Sequence, residues 1–139
     1  MVKFKFRLEK LLEYRRLQEK WAKDAFLETT ARKYEAEAET EAVKRRRTTA
    51  LRSSPKAVDE HVNLDAYLTK LDDDQRACET TVSVIATEVE MALAEWNVTK
   101  QQVASIEKLR EAELAEWTLN ENRREQSDLD EWSSQRRAA

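Results

Sequence analysis

Residues 64–117 read LDAYLTKLDDDQRACETTVSVIATEVEMALAEWNVTKQQVASIEKLREAELAEW, and this stretch decides the fold of the chain. Sixteen of its positions recur at alternating steps of four and three residues, and twelve of these are apolar. A 3.5-residue repeat places its members on one narrow strip of an under-wound helix, at the a and d positions of a coiled coil. We call this set the heptad seam; its members are Leu64, Leu68, Leu71, Gln75, Cys78, Val82, Ile85, Val89, Ala92, Trp96, Thr99, Val103, Ile106, Arg110, Glu113 and Trp117.

The composition of the chain is typical of long helices. Among 139 residues there is no Gly and one Pro, and 38% of the residues are charged. Tight turns therefore have almost no suitable residues, and the sequence predicts an all-α protein. Residues 1–23 carry eight basic and three acidic side chains, whereas residues 107–131 carry four basic and nine acidic ones. These opposite charges favour an antiparallel arrangement of the two ends.

One break interrupts the helical pattern, at Ser53-Ser54-Pro55. Because Pro disfavours helical geometry in the residue before it, the first helix should end near residue 52. We predict a single coiled-coil domain, with helix one at about 3–52, a turn at 53–62 and helix two at about 63–133. Asn63 is the expected N-cap of the second helix.

The two predicted helices form a long antiparallel two-helix coiled coil, an α-hairpin whose C-terminal helix overhangs the first. A pivot about residue 58 would bring Trp21 near Trp96 and Phe4 near Glu111. The chain beyond about residue 114 would then have no intramolecular partner. The same 3.5-residue spacing predicts the inner face of helix one, which Leu12, Tyr14 and Trp21 widen near its start. Its members are Phe4, Leu8, Leu11, Arg15, Gln18, Ala22, Ala25, Thr29, Arg32 and Ala36.

No enzyme signature is present in the sequence. Without Gly the chain has no phosphate-cradling loop or dinucleotide fingerprint, and His61 has no second His for a metal site. The adjacent residues 72–74, all Asp, point in different directions on a helix, so a solvated face is the better interpretation. Cys78 lies on the heptad seam and is interpreted as a small buried side chain. We expect no catalysis, no metal and no cofactor.

Neither a nucleic acid nor a membrane is the expected partner. The Lys-Arg-Arg-Arg run at 44–47 lacks aromatic neighbours for base stacking and fits the end of a helix. No apolar run approaches the roughly 18 residues of a membrane span, and no secretory segment is apparent. A cytosolic setting is expected. Trp132, in the predicted overhang, is instead interpreted as a contact for another protein.

Two motifs resemble a known family. The pattern K-F-x-F-R-L-x-x-L-L at residues 3–12 and E-N-R-R-E-Q-x-x-L-D-E at 121–131 resemble the two ends of FliJ, a coiled-coil component of the bacterial flagellar type III export apparatus. YLTKL and MALAEW in the middle of the chain are similar to the same family. The resemblance implies a stalk that inserts in a FliI-like hexameric export ATPase, stimulates it, and contacts a FlhA-like export gate and substrate chaperones. It also implies a peripheral location at the cytoplasmic face of the inner membrane.

The resemblance further implies which residues contact these partners. The ATPase-ring contacts would be Phe4, Phe6, Leu8, Leu11, Tyr14, Asn122, Arg123, Arg124, Asp130 and Trp132. The export-gate contacts would be Tyr67, Leu71 and Cys78. Three alternatives remain: the equivalent stalk protein of a virulence injectisome, a homodimeric structural scaffold paired through the heptad seam, and a nucleic-acid binder using residues 44–52.

Overall fold

The computed structural model describes residues 2–138, and this part of the chain contains two helices and no strand. Helix α1 spans Glu9–Leu51 and helix α2 spans Val58–Ala138. The two helices pack against each other, so the predicted all-α helical hairpin is confirmed. The chain divides into two compact units: one is Trp21–Asn97, and the other is formed by the residues before Trp21 and after Asn97. Neither helix has a stretch long and apolar enough to cross a membrane within residues 2–138.

The helix boundaries differ from the predicted ones at three of four ends. Helix α1 ends at Leu51, close to the expected residue 52, but it begins at Glu9 and not near residue 3. Helix α2 begins at Val58, before the predicted start, and continues beyond residue 133. Asn63 is therefore an interior residue of α2, and its predicted role as N-cap is wrong.

Residues near Pro55 satisfy the free backbone groups at the helix ends. The Ser53 hydroxyl donates to the Ala50 carbonyl at 2.7 Å, which caps α1 without a glycine. At the start of α2 the Lys56 N–H donates to the Glu60 carboxylate at 2.8 Å, and Ala57 O accepts the His61 N–H at 3.1 Å. Acidic side chains in this first turn also favour its exposed N–H groups. Together these bonds allow α2 to start earlier than the apolar pattern indicates.

The heptad seam of α2 faces inward along its whole length. All sixteen of its positions are buried or half-buried, including the polar ones. In the unit Trp21–Asn97, Leu71 is 2% exposed and packs with Val43 and Ala50 of α1. Because α1 covers the seam within the same chain, the seam is not free to pair two copies, as the homodimeric scaffold would require.

The predicted inner face of α1 is wrong in part. Leu11 and Ala25 are exposed, whereas their neighbours Leu12 and Phe26 are inside. Arg32, also predicted inside, is exposed. The observed inner row of α1 consists of Leu12, Arg15, Glu19, Ala22, Phe26, Thr29, Lys33, Ala36, Thr40, Val43, Arg47 and Ala50. The prediction counted from Phe4, which precedes the helix and therefore cannot fix its phase.

The pairing of the helices is also displaced from the predicted one. In the unit Trp21–Asn97, the ring of Trp96 lies 5.5 Å from that of Phe26, while Trp21 is 55% exposed. Ion pairs join Arg32 to Glu88 at 3.1 Å and Arg47 to Asp72 at 2.7 Å in the same unit. The prediction that Trp21 meets Trp96 is wrong. The point about which the two helices are paired therefore lies after residue 58. The residues of α2 up to Asn63 are exposed and take no part in this pairing.

Candidate functional site

The N-terminal segment, residues 2–8, is a non-helical strap that lies against α2, and its last two residues form a turn before Glu9. Its sequence alternates basic and aromatic residues, so Phe4 and Phe6 point to one side of an extended backbone. Phe6 is 6% exposed, and Phe4 is half-buried with its ring 6.0 Å from that of Trp117 at an interplanar angle of 57°. This tilted arrangement is favourable for two aromatic rings. Phe4 therefore meets Trp117, and the predicted neighbour Glu111 is wrong.

Two charged members of the heptad seam hold this strap. Arg110 donates to the Glu9 carboxylate at 3.1 Å, and its guanidinium lies 5.7 Å from the centre of the Phe4 ring. Glu113 pairs with Arg7 at 3.5 Å. Both ion pairs are partly solvated, so each contributes only about 0–1 kcal/mol to stability. Together with the contact between Phe4 and Trp117, they show that intramolecular packing continues to Trp117 and does not stop near residue 114.

After Trp117 helix α2 has almost no intramolecular cover. Every residue of 118–138 is exposed except Glu121, which is half-buried. Leu129 and Trp132 are 60% and 57% exposed, and they lie one turn apart on the helix. Arg136 lies over the Trp132 ring, 5.1 Å from its centre. More than half of the Trp132 surface is nevertheless exposed. We call residues 118–138 the C-terminal spur.

A shallow groove forms where the strap meets the start of the spur. Its volume is about 390 Å³, and Val2 and Trp117 line it together with Asn122, Arg124 and Asp128. The side chains of this groove are mainly polar, with ionic groups of both signs. Its lining therefore combines polar, ionic and apolar surface.

The structure brings the predicted ATPase-ring residues to one unit but gives them two different roles. Phe6 is buried and Phe4 and Leu8 are half-buried, so these three hold the strap. The remaining predicted contacts are exposed: Leu11, Tyr14, Asn122, Arg123, Arg124, Asp130 and Trp132. A partner can reach this second set without any rearrangement. Phe6 is 6% exposed, so little of its ring is open to a partner in this arrangement, and its predicted contact stays a prediction.

The predicted export-gate residues do not share one surface. Tyr67 is 44% exposed and lines a groove of about 460 Å³ in the unit Trp21–Asn97, beside Arg45 and Arg46. Leu71 is buried between the helices and offers almost no surface to a partner, and its predicted gate contact stays a prediction. Cys78 is half-buried and packs against the same core cluster. The sequence does not identify Arg45 and Arg46 as neighbours of Tyr67, although the Lys-Arg-Arg-Arg run is visible in it.

Among residues 2–138 no group of three or more His, Cys, Asp or Glu side chains is placed to hold a metal ion. Arg47 of the basic run is engaged by Asp72 across the hairpin.

Comparison with protein-family models identifies the family. The family model described as "Flagellar FliJ protein" matches residues 4–139, nearly the whole chain. No curated protein and no solved structure gives a significant match.

Proposed function

This chain belongs to the FliJ family and is a flagellar export-associated protein, and from this premise we propose that it acts as a non-enzymatic stalk of the type III export apparatus. Its main partner would be a FliI-like hexameric export ATPase. It would insert into the centre of the ATPase ring and stimulate hydrolysis. Further partners would be a FlhA-like export gate and substrate chaperones. The protein would lie peripherally at the cytoplasmic face of the inner membrane.

The observation that carries the ATPase proposal is the C-terminal spur. It is a regular helix whose intramolecular partner ends at Trp117, yet it retains large exposed apolar side chains at Leu129 and Trp132. Forming the first turn of an isolated helix in water is unfavourable. Here the covered part of α2 extends directly into the spur and supplies the costly helix nucleus. The spur is thus a preorganised helix, which lowers the entropic cost of binding.

The strap supports the same proposal because it stiffens the base of the spur. Phe4 and Phe6 anchor it to α2, and the ion pairs of Arg110 and Glu113 fix its direction. A stiff base transmits the position of the spur to a partner. The protein would act by binding one conformation of the ATPase more tightly than the others, which shifts the population of the ring toward that conformation.

For the export gate, Tyr67 is the accessible residue of the three predicted contacts. Its ring lies beside Arg45 and Arg46, so this groove combines an aromatic surface with two cations. We propose that Tyr67 contacts the gate directly, while Leu71 and Cys78 support it from the core. Substitution of Tyr67 by Ala should weaken gate binding, and Tyr34→Ala, at a 65% exposed tyrosine of α1, is the matched control.

The ATPase proposal is tested by measuring hydrolysis by the cognate export ATPase with and without this protein. The full chain should raise the rate, and a chain truncated after Asn120 should not. Trp132→Ala should reduce the stimulation without changing thermal unfolding, because the side chain has little intramolecular packing. The matched control is Trp21→Ala, since Trp21 is 55% exposed and lies on α1.

Equal stimulation by the truncated and full chains would exclude the spur as the ATPase contact. A loss of stimulation with both tryptophan variants alike would indicate a general effect of removing exposed indoles. No stimulation by the intact protein at any ratio would refute the ATPase proposal as a whole.

A further inference from the structure

A second row with 3.5-residue spacing runs along the exposed side of α2, within the unit Trp21–Asn97. All six of its positions are exposed, and none is charged, although charged residues make up 38% of the chain. Its two largest members, Val84 and Met91, are 54% and 68% exposed. We call it the outer row; it consists of Ala77, Thr80, Val84, Thr87, Met91 and Ala94.

The outer row lies away from the packing of the hairpin except at Ala77, which lines a small cavity with Ala36 and Glu39 of α1. Helix α1 covers the heptad seam, and Ile85 of that seam is 7% exposed while the adjacent Val84 is mostly open. The row therefore adds nothing to the core of this chain. Its alternating steps of three and four residues are nevertheless the spacing at which one helix packs along another. Met91 is unbranched and polarizable, and such side chains adapt well to a partner surface.

The charges around the outer row indicate what kind of helix it fits. Residues 73–97 contain six acidic side chains and one basic side chain, Arg76. Within this stretch Glu88 is engaged by Arg32 of α1, while Glu90 and Glu95 are exposed beside the row. A second copy of this chain would bring the same acidic surface, and like charges across an interface oppose pairing. A helix flanked by Lys and Arg would be attracted.

We propose that the outer row is a docking surface for a basic amphipathic helix of another protein. That helix would carry a strip of apolar residues at 3.5-residue spacing, with Lys or Arg on both sides of the strip. The apolar strip would cover Val84 and Met91, and the cations would face Glu90 and Glu95. This surface is distinct from the C-terminal spur and from the groove beside Tyr67, so it adds a third contact surface to the two assigned above.

The probe is a synthetic helix of about three heptads with Leu and Ala at its a and d positions and Lys at e and g. A second peptide has the same apolar strip with Glu in place of Lys. Binding to the full-length protein is followed by fluorescence anisotropy of the labelled peptide. The Lys peptide should bind at about 0.03 M salt, and its binding should be weaker at about 0.3 M, where charges are screened. The Glu peptide should bind at least about tenfold more weakly.

The location is tested with a matched pair of double variants. The double variant Val84→Lys with Met91→Lys places two cations on the outer row. It should weaken binding of the Lys peptide by at least about tenfold. Ala31→Lys with Ala38→Lys adds the same charge at two positions of α1, also seven residues apart and away from the outer row, and should change binding less than about twofold. Circular dichroism should show that both variants keep their helix content, because none of the four positions belongs to the inner row of α1 or to the heptad seam.

Equal weakening by the two double variants would overturn the assignment, as would equal binding of the Glu and Lys peptides. A dimeric mass of the wild-type protein that Val84→Lys with Met91→Lys converts to a monomer would show that a second copy occupies the row. That result would also overturn the proposal.

Discussion

Replacing Leu12 by Ala removes the side chain that α1 buries most completely, and it tests the register of the hairpin directly. Leu12 has no exposed surface, whereas its neighbour Leu11 keeps 38% of its surface exposed. A helix has one inner face, so the two residues exchange places if α1 is rotated by a single residue. Leu12→Ala and Leu11→Ala therefore give opposite results in the two registers.

The expected magnitude follows from the burial of each side chain. Leu→Ala removes three carbon groups, worth about 0.8 kcal/mol each when fully buried, and the cavity left behind adds to this loss. Leu12→Ala should therefore lower the free energy of unfolding by about 3 kcal/mol. Leu11→Ala loses only partly covered surface, and the higher helix propensity of Ala offsets some of it, so about 1 kcal/mol or less is expected.

Urea unfolding followed by helical circular dichroism measures both changes. With a urea dependence of about 2 kcal/mol per molar, Leu12→Ala should lower the midpoint by about 1.5 M and Leu11→Ala by no more than about 0.5 M. The slopes should match that of the unmodified protein, since the surface exposed on unfolding hardly changes. Equal midpoints for the two variants, or a larger effect at Leu11, would refute the assignment of the inner row.

Two further predictions concern the strap and the heptad seam. A double-mutant cycle of Phe4→Ala and Trp117→Ala should give a coupling energy of about 0.5–1.5 kcal/mol in urea unfolding, and zero coupling would mean that the rings do not touch in solution. Ile85→Asp should cost several kcal/mol because it buries an unpaired carboxylate, whereas the exposed neighbour tolerates the same change. Thermal unfolding of Ile85→Asp beside Val84→Asp checks this, and equal melting temperatures would contradict the inward direction of the seam.

The strap follows a local pattern that is visible in the sequence. Lys3-Phe4-Lys5-Phe6-Arg7 alternates with period two, which favours an extended backbone. These residues lie outside α1, which begins at Glu9. Treating them as helix predicts Leu11 and Ala25 inside, whereas the structure buries or half-buries their neighbours Leu12 and Phe26. The alternation is a sufficient signal to exclude residues 3–7 from the helix and to count its phase from a later residue.

The inner row of α1 cannot be recognised from the spacing of apolar residues alone. Arg15, Glu19 and Lys33 occupy inner positions, so apolar periodicity is weak along this helix. Long charged side chains can cover apolar surface with their stems while their charged ends reach water or a partner. Arg15, for example, donates to the Gln102 side chain at 3.0 Å. Such positions are recognised as inner only when the facing helix is in place.

The sequence by itself determined that the chain is helical, that it turns near Pro55, and which side of α2 is covered. A 3.5-residue repeat sustained from Leu64 to Trp117 and the absence of Gly suffice for these conclusions, because both act through local geometry. Only the tertiary structure decided how far one helix slides along the other. Sliding by a heptad keeps the same residues inside, so periodicity cannot fix the offset. Contacts between distant residues fix it, and these place Trp117 against Phe4 and leave the C-terminal spur uncovered.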